Sequence, residues 1–104
     1  MRIVITGTGA ICGSGASPAA IVDAALEGRT AIAAIASFDA SGWPRRHAAE
    51  VTDYNAAKLV GDRKLLKLIR RSDVFGIHAA DQAIGAAGIP AFRDALDAAA
   101  AVDF

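Results

Sequence analysis

Large side chains and scarce residues are what this chain has least of. Its 104 residues hold one cysteine, one methionine, one tryptophan, one tyrosine and four phenylalanines. One cysteine excludes an internal disulfide and makes a reducing cytoplasm the expected location. Eleven basic residues cancel eleven acidic ones, so net charge gives no reason to expect nucleic acid or an anionic membrane surface as partner. No apolar run approaches the roughly 18–20 residues needed to span a bilayer. The short run after Arg2 breaks at Gly7, too soon for a signal peptide. The two histidines, His47 and His78, stand far apart with no ligand cluster around them, which leaves no metal pattern.

What remains is a globular composition, 54% hydrophobic and 21% charged, rich in alanine and glycine. The length suits one small domain with a modest core. Ile3-Val4-Ile5-Thr6 is a β-branched run closed by glycine and reads as a buried strand. Gly7 to Gly15 reads as a loop. Ser17-Pro18 is a helix start, serine as N-cap and proline in the first turn, and Gly28 is its stop. Ala31 to Ile35 reads as extended, Phe38 to Pro44 as a loop of turn formers, and Ala48 to Val51 as a short strand. From Asp62 to Ala87 the pattern is helical, first as a basic amphipathic segment. A helix capped by Ser72-Asp73 then follows, with Val74, Ile77, Ala80, Ile84 and Ala87 on one face. Gly88 ends it, and Pro90 blocks its continuation. Phe92 to Ala101 is rich in helix formers.

A strand like Ile3–Thr6, apolar on both faces, belongs inside a parallel sheet. No second strand of that kind follows before Phe104, so its backbone groups would lack ladder partners. The expectation is that the chain does not fold autonomously.

The glycines after this strand invite a dinucleotide-binding reading, with Asp39 as the carboxylate beyond a second strand. The spacing fails. The G-x-G-x-x-G pattern needs glycine where Cys12 stands, and the short-chain dehydrogenase variant needs it at Ile11. No cofactor is expected. A tight strand-to-helix turn with positive φ accounts for the glycines. Cys12, with no histidine near it in sequence, reads as a small buried hydrophobe. His78 reads as a partly buried, hydrogen-bonded histidine and His47 as solvated.

Three segments in order resemble the β-ketoacyl-acyl carrier protein synthases. They are Val4-Ile5-Thr6-Gly7-x-Gly9; Glu27-Gly28-Arg29-x-Ala31-Ile32 leading to Phe38-Asp39-Ala40-Ser41-Gly42-Trp43-Pro44 and Ala49-Glu50-Val51; and Asp62-Arg63-Lys64 followed by a helix with Phe75, closing at Ala87-Gly88-Ile89. The chain departs from the family at Trp43, where phenylalanine is common, at Leu68-Ile69-Arg70-Arg71, and at His78, which replaces a small residue. The resemblance implies an α/β fold, the opening strand and outer helices of a thiolase-like α/β/α/β/α sandwich, with residues 1–104 a single partial domain. It implies a parent acyltransferase that condenses malonyl-carrier protein with an acyl thioester in fatty acid or polyketide-type biosynthesis. The family's nucleophilic cysteine and two histidines are expected beyond Phe104, so this chain alone is expected to be inactive.

The family's partner is an acidic acyl carrier protein, docked on basic residues. By resemblance Lys64 matches the docking lysine and Lys67 the next basic position, while Leu68 occupies the one after. Arg63, Arg70 and Arg71 complete the candidate surface. The remainder of the synthase, in trans, or a second copy would complete the sheet, with a homodimer or heterodimer as parent. A non-catalytic, synthase-like partner subunit that only binds carrier protein is the alternative.

Overall fold

The computed structural model describes residues 1–52 and 54–102. It is mixed: four helices and one two-stranded sheet among the described residues. Helix α1 (Pro18–Leu26) opens as expected, the Ser17 hydroxyl accepting the Ala20 N–H at 3.2 Å. It ends on Glu27, and Gly28 follows at φ +70°, the left-handed conformation glycine tolerates. Strand β1 (Ile32–Ala34) pairs antiparallel with β2 (His47–Ala49), Ala33 opposite Ala48. The loop between them carries an Asx turn, the Asp39 carboxylate accepting the Ser41 N–H at 3.0 Å, and an edge-to-face pair of Phe38 and Trp43 with centroids 6.4 Å apart.

A short helix absent from the sequence reading, α2 (Ala56–Val60), is capped by Asn55 and closed by Gly61 at φ +76°. Helices α3 (Arg71–Ala86) and α4 (Ile89–Val102) follow, separated by Ala87 and Gly88.

Several expectations are corrected here. Ile3–Thr6 is not a strand: it has no regular secondary structure, none of its backbone groups is paired among the described residues, and Ile3 and Ile5 are 84% and 85% exposed. Its sequence favours a sheet, but no neighbouring strand stands beside it. The stretch from Asp62 is not continuous helix. Only Leu65–Lys67 forms a single 3₁₀ turn before α3, because Asp62 turns the chain by accepting the Lys64 N–H at 3.0 Å. The cap of α3 falls two residues earlier than Ser72: Asp73 sits at the third helical position and accepts the Arg70 N–H at 2.9 Å. Helix α3 stops before Gly88 as expected, but the next helix begins at Ile89 and not at Phe92, with Pro90 in its first turn, where a missing N–H costs nothing. The second strand is shorter than read, ending at Ala49.

The glycine loop is corrected too. The glycines with positive φ among the described residues are Gly28, Gly61 and Gly88, none of them in the loop. Gly7 and Gly9 serve close approach instead. A Cβ on Gly7 would collide with the Ala83 carbonyl oxygen and lie 2.7 Å from the Ala87 nitrogen. One on Gly9 would collide with the Ala79 carbonyl and lie 2.9 Å from the Gln82 Cβ. Backbone lies directly on the helix. The face of α3 that the loop covers is thus built around Ala79, Gln82, Ala83 and Ala87. Of the expected stripe, Val74 is buried, but Ala80 and Ile84 are exposed.

The core is small. Ala24, Ala40 and Val74 are the buried hydrophobic residues among those described. The radius of gyration is 18.6 Å, against about 13 Å for a compact chain of this length. The accessible surface is 8203 Å², whereas a closed monomer of this mass exposes about 5,500 Å².

Candidate functional site

Two constellations deserve the name of site: the glycine loop and the basic turn. The loop is held by α3 side chains. Gln82 accepts the Ala10 N–H at 3.0 Å through Oε1 and donates from Nε2 to the Ala16 carbonyl, and His78 Nε2 stands 2.7 Å from the same carbonyl oxygen. His78 is therefore half-buried and partnered, as its sequence position suggested. The loop closes on itself through Cys12 N–H to Gly15 O at 2.9 Å and Gly15 N–H to Cys12 O at 3.2 Å. Cys12 is exposed rather than buried, since the turn it closes leaves nothing over its side chain. It has no paired histidine: His78 is engaged with Ala16 and His47 is exposed on β2. Among the described residues no three potential metal ligands stand together.

The basic residues lie between α2 and α3. Arg63 and Lys64 enter the 3₁₀ turn, Lys67 ends it, Arg70 caps α3 and Arg71 is its first residue. They do not share one helix, as the sequence pattern implied, but follow a bent connection. Leu65, Leu66 and Ile69 are half-buried and anchor it, which leaves Arg63, Lys64, Lys67 and Arg70 exposed, as Arg71 is at the head of α3. Among the described residues the one ion pair is elsewhere, Arg29 Nε to Glu27 Oε2 at 2.6 Å. Four cationic side chains thus lie along a short turn, none of them in an ion pair among the described residues, with the carboxylates of Asp62 and Asp73 bonded to the backbone N–H groups of Lys64 and Arg70 at its two ends.

Arg71 is placed differently. It donates to the Val51 carbonyl, and its guanidinium carbon lies 5.4 Å from the Tyr54 ring centroid and 5.5 Å from that of Phe75. Glu50, next to Val51, accepts the Ala36 N–H at 2.7 Å. Its carboxyl is held below the ordinary value by a hydrogen bond from the Ser37 side chain, then by the Ala36 N–H, with Arg71's charge a smaller influence. The Ser41 N–H lowers Asp39 in the same way. Sequence reasoning missed this Glu50–Arg71–Tyr54–Phe75 cluster. The Asn55…Gly61 cap pair was the available signal for α2, and with it for the chain reversal that brings Tyr54 to Phe75.

A mixed fold whose opening segments resemble a β-ketoacyl-acyl carrier protein synthase thus carries an exposed basic turn. No family model matches the chain. It is 43% identical over 74 residues, 71% of its length, to the 3-oxoacyl-[acyl-carrier-protein] synthase 2 of Coxiella burnetii, covering 17% of that protein. It is 39% identical over 83 residues, 80% of its length, to the 3-oxoacyl-[acyl-carrier-protein] synthase 2 of Synechocystis, covering 20% of that protein. The resemblance to part of a 3-oxoacyl-acyl carrier protein synthase therefore holds over most of the chain, and the chain spans a fifth or less of the length of the curated relatives it matches. No helix among the described residues is long and apolar enough to cross a membrane.

Proposed function

We propose that this chain serves as the N-terminal part of a β-ketoacyl-acyl carrier protein synthase, as a single partial domain of a thiolase-like sandwich. The observation that carries the reading is the identity of 39–43% to two synthases over 71–80% of the chain. The parent reaction would transfer an acyl group to a cysteine thiolate and condense it with the carbanion left by decarboxylation of malonyl-carrier protein. Within that parent the chain's own role would be structural support and docking. The basic segment from Arg63 to Arg71 would receive the acidic carrier protein, chiefly by steering and salt-sensitive ion pairs. A further polypeptide, the rest of the synthase or a second copy, would cover the apolar surface around Ile3–Ile5.

The test is titration of purified acyl carrier protein against the full chain at low and at physiological salt. Weak binding that falls with salt and is lost in a Lys64→Glu, Lys67→Glu variant is expected. Absence of binding at low salt, or binding indifferent to that variant, overturns the docking reading. Native mass spectrometry of the chain with co-purifying protein tests the rest. A partner that carries condensing activity supports the synthase, and one that binds carrier protein without condensing anything makes the assembly a non-catalytic subunit.

A further inference from the structure

We infer that Arg71 is a positioning residue that closes the base of the basic turn, rather than one of the charges that turn presents. Its guanidinium ties residues 20 positions apart, by a hydrogen bond to the Val51 carbonyl. Its guanidinium carbon lies over two rings, Tyr54 at 5.4 Å and Phe75 at 5.5 Å, and the rings themselves meet edge to face with centroids 5.1 Å apart. Three segments converge on this one group: the exit of the β1–β2 hairpin at Val51, the approach to α2 at Tyr54, and the start of α3 at Arg71 and Phe75. Everything between them, α2 and the turn bearing Arg63, Lys64, Lys67 and Arg70, is a loop whose two ends Arg71 joins.

The chemistry favours arginine. A planar guanidinium carries several N–H donors and is weakly hydrated enough to lie against aromatic rings while it donates, whereas an ammonium is a compact, strongly hydrated point charge on a flexible stem that holds such an arrangement less well. Joining the ends of a loop removes conformational freedom from what hangs between them. The four cations of the turn are then presented in fewer arrangements, which lowers the ordering cost of binding an extended acidic surface. Arg71 would act on docking through geometry. What the turn binds rests on the docking reading above; the clamp itself does not.

The experiment uses the full chain, in the assembly in which it purifies, and has two independent readouts. The first is the ring-current shift of the Arg71 side-chain protons by NMR, with the near-ultraviolet circular dichroism of Tyr54, the chain's one tyrosine. Upfield-shifted Arg71 protons in the wild type, and a Tyr54 signal reduced in Arg71→Lys as in Arg71→Met, are expected. Unshifted Arg71 protons, or a Tyr54 signal that neither variant changes, overturn the clamp whether or not carrier protein binds. The second is carrier-protein affinity against salt. Arg71→Lys keeps the charge, yet it should weaken binding several-fold, as much as Arg71→Met, with the salt dependence unchanged. Lys64→Met should flatten the salt dependence. If Arg71→Lys binds like wild type while Arg71→Met flattens the salt dependence as Lys64→Met does, Arg71 is a contact charge and the inference fails. If the wild type shows the ring shift and binds no carrier protein, the docking reading fails and the clamp stands.

Discussion

Ile3–Thr6 and Gly7–Ala16 are consecutive in the chain and differ in almost everything physical. The first has the larger apolar side chains, yet Ile3 and Ile5 are 84% and 85% exposed. The second is mostly glycine and alanine, and it is fastened to α3 by Gln82 and His78 across more than sixty residues of sequence. Hydrophobicity decides what a segment gains when covered; it does not supply the cover. The glycine loop finds its partner within the chain, because a backbone without Cβ atoms fits against the carbonyls of Ala79 and Ala83. The β-branched segment needs strands on both sides, and none is beside it among the described residues.

The sharpest way to break this comparison is to melt the chain. With a surface of 8203 Å², about 2,700 Å² beyond that of a closed monomer, the isolated monomer is expected to show no cooperative thermal transition. A sharp calorimetric peak from a species of 10.6 kDa would mean that Ile3–Thr6 finds cover within the chain after all, and the contrast would collapse.

Next in size is Gly9→Val. Its Cβ would strike the Ala79 carbonyl, and overpacking of this kind costs about 1–3 kcal/mol. The Ala10 amide, which donates to Gln82, should then lose about tenfold to hundredfold in hydrogen-exchange protection. Gly42→Ala, with nothing within 4 Å of its Cβ, should leave protection unchanged. Equal effects at both positions would show that close approach is not what Gly9 provides. Gln82→Leu should cost about 1–3 kcal/mol at the same amide, since it strips a partner from both the Ala10 N–H and the Ala16 carbonyl. Because His78 still reaches Ala16, residues beyond Ala16 should be spared.

How much of this was legible in the sequence follows from the range of the interactions. Ser17, Gly28 and Gly88 announced helix ends, because a cap acts within a few residues. The two short strands and the loop between them were also within reach of local pattern. Pro90 rightly marked that α3 goes no further, but proline also suits a first turn, and the next helix starts at Ile89 rather than at Phe92. The packed face of α3 was read in part: Val74, Ile77 and Ala87 are covered, but the loop packs on Ala79 and Ala83, which apolar periodicity did not pick out. The role of Gly7 and Gly9 depends on a helix seventy residues away. Of the basic residues, chemical type was legible and placement was not: one pattern contained both Lys64 and Arg71, and the partners of Arg71 (Val51, Tyr54 and Phe75) come together only when α2 reverses the chain.

The smallest effect expected concerns the hairpin exit. Glu50 holds the Ala36 N–H at 2.7 Å, and its carboxyl is held low chiefly by the Ser37 side chain, then by that N–H, with Arg71 contributing less. A carboxylate whose folded pKa is depressed adds stability that is fully present above its unfolded value, about 4.3, and is lost as pH falls through the lower folded value. Between neutrality and that window the Ala36 amide resonance should stay constant, then move as Glu50 takes up its proton. In Glu50→Gln the movement should vanish. Because Arg71 is only a minor influence on Glu50, Arg71→Met should raise the midpoint slightly, while Ser37→Ala should raise it more. The reverse order would make the guanidinium, and not the hairpin's own hydrogen bonds, the group that keeps Glu50 ionised.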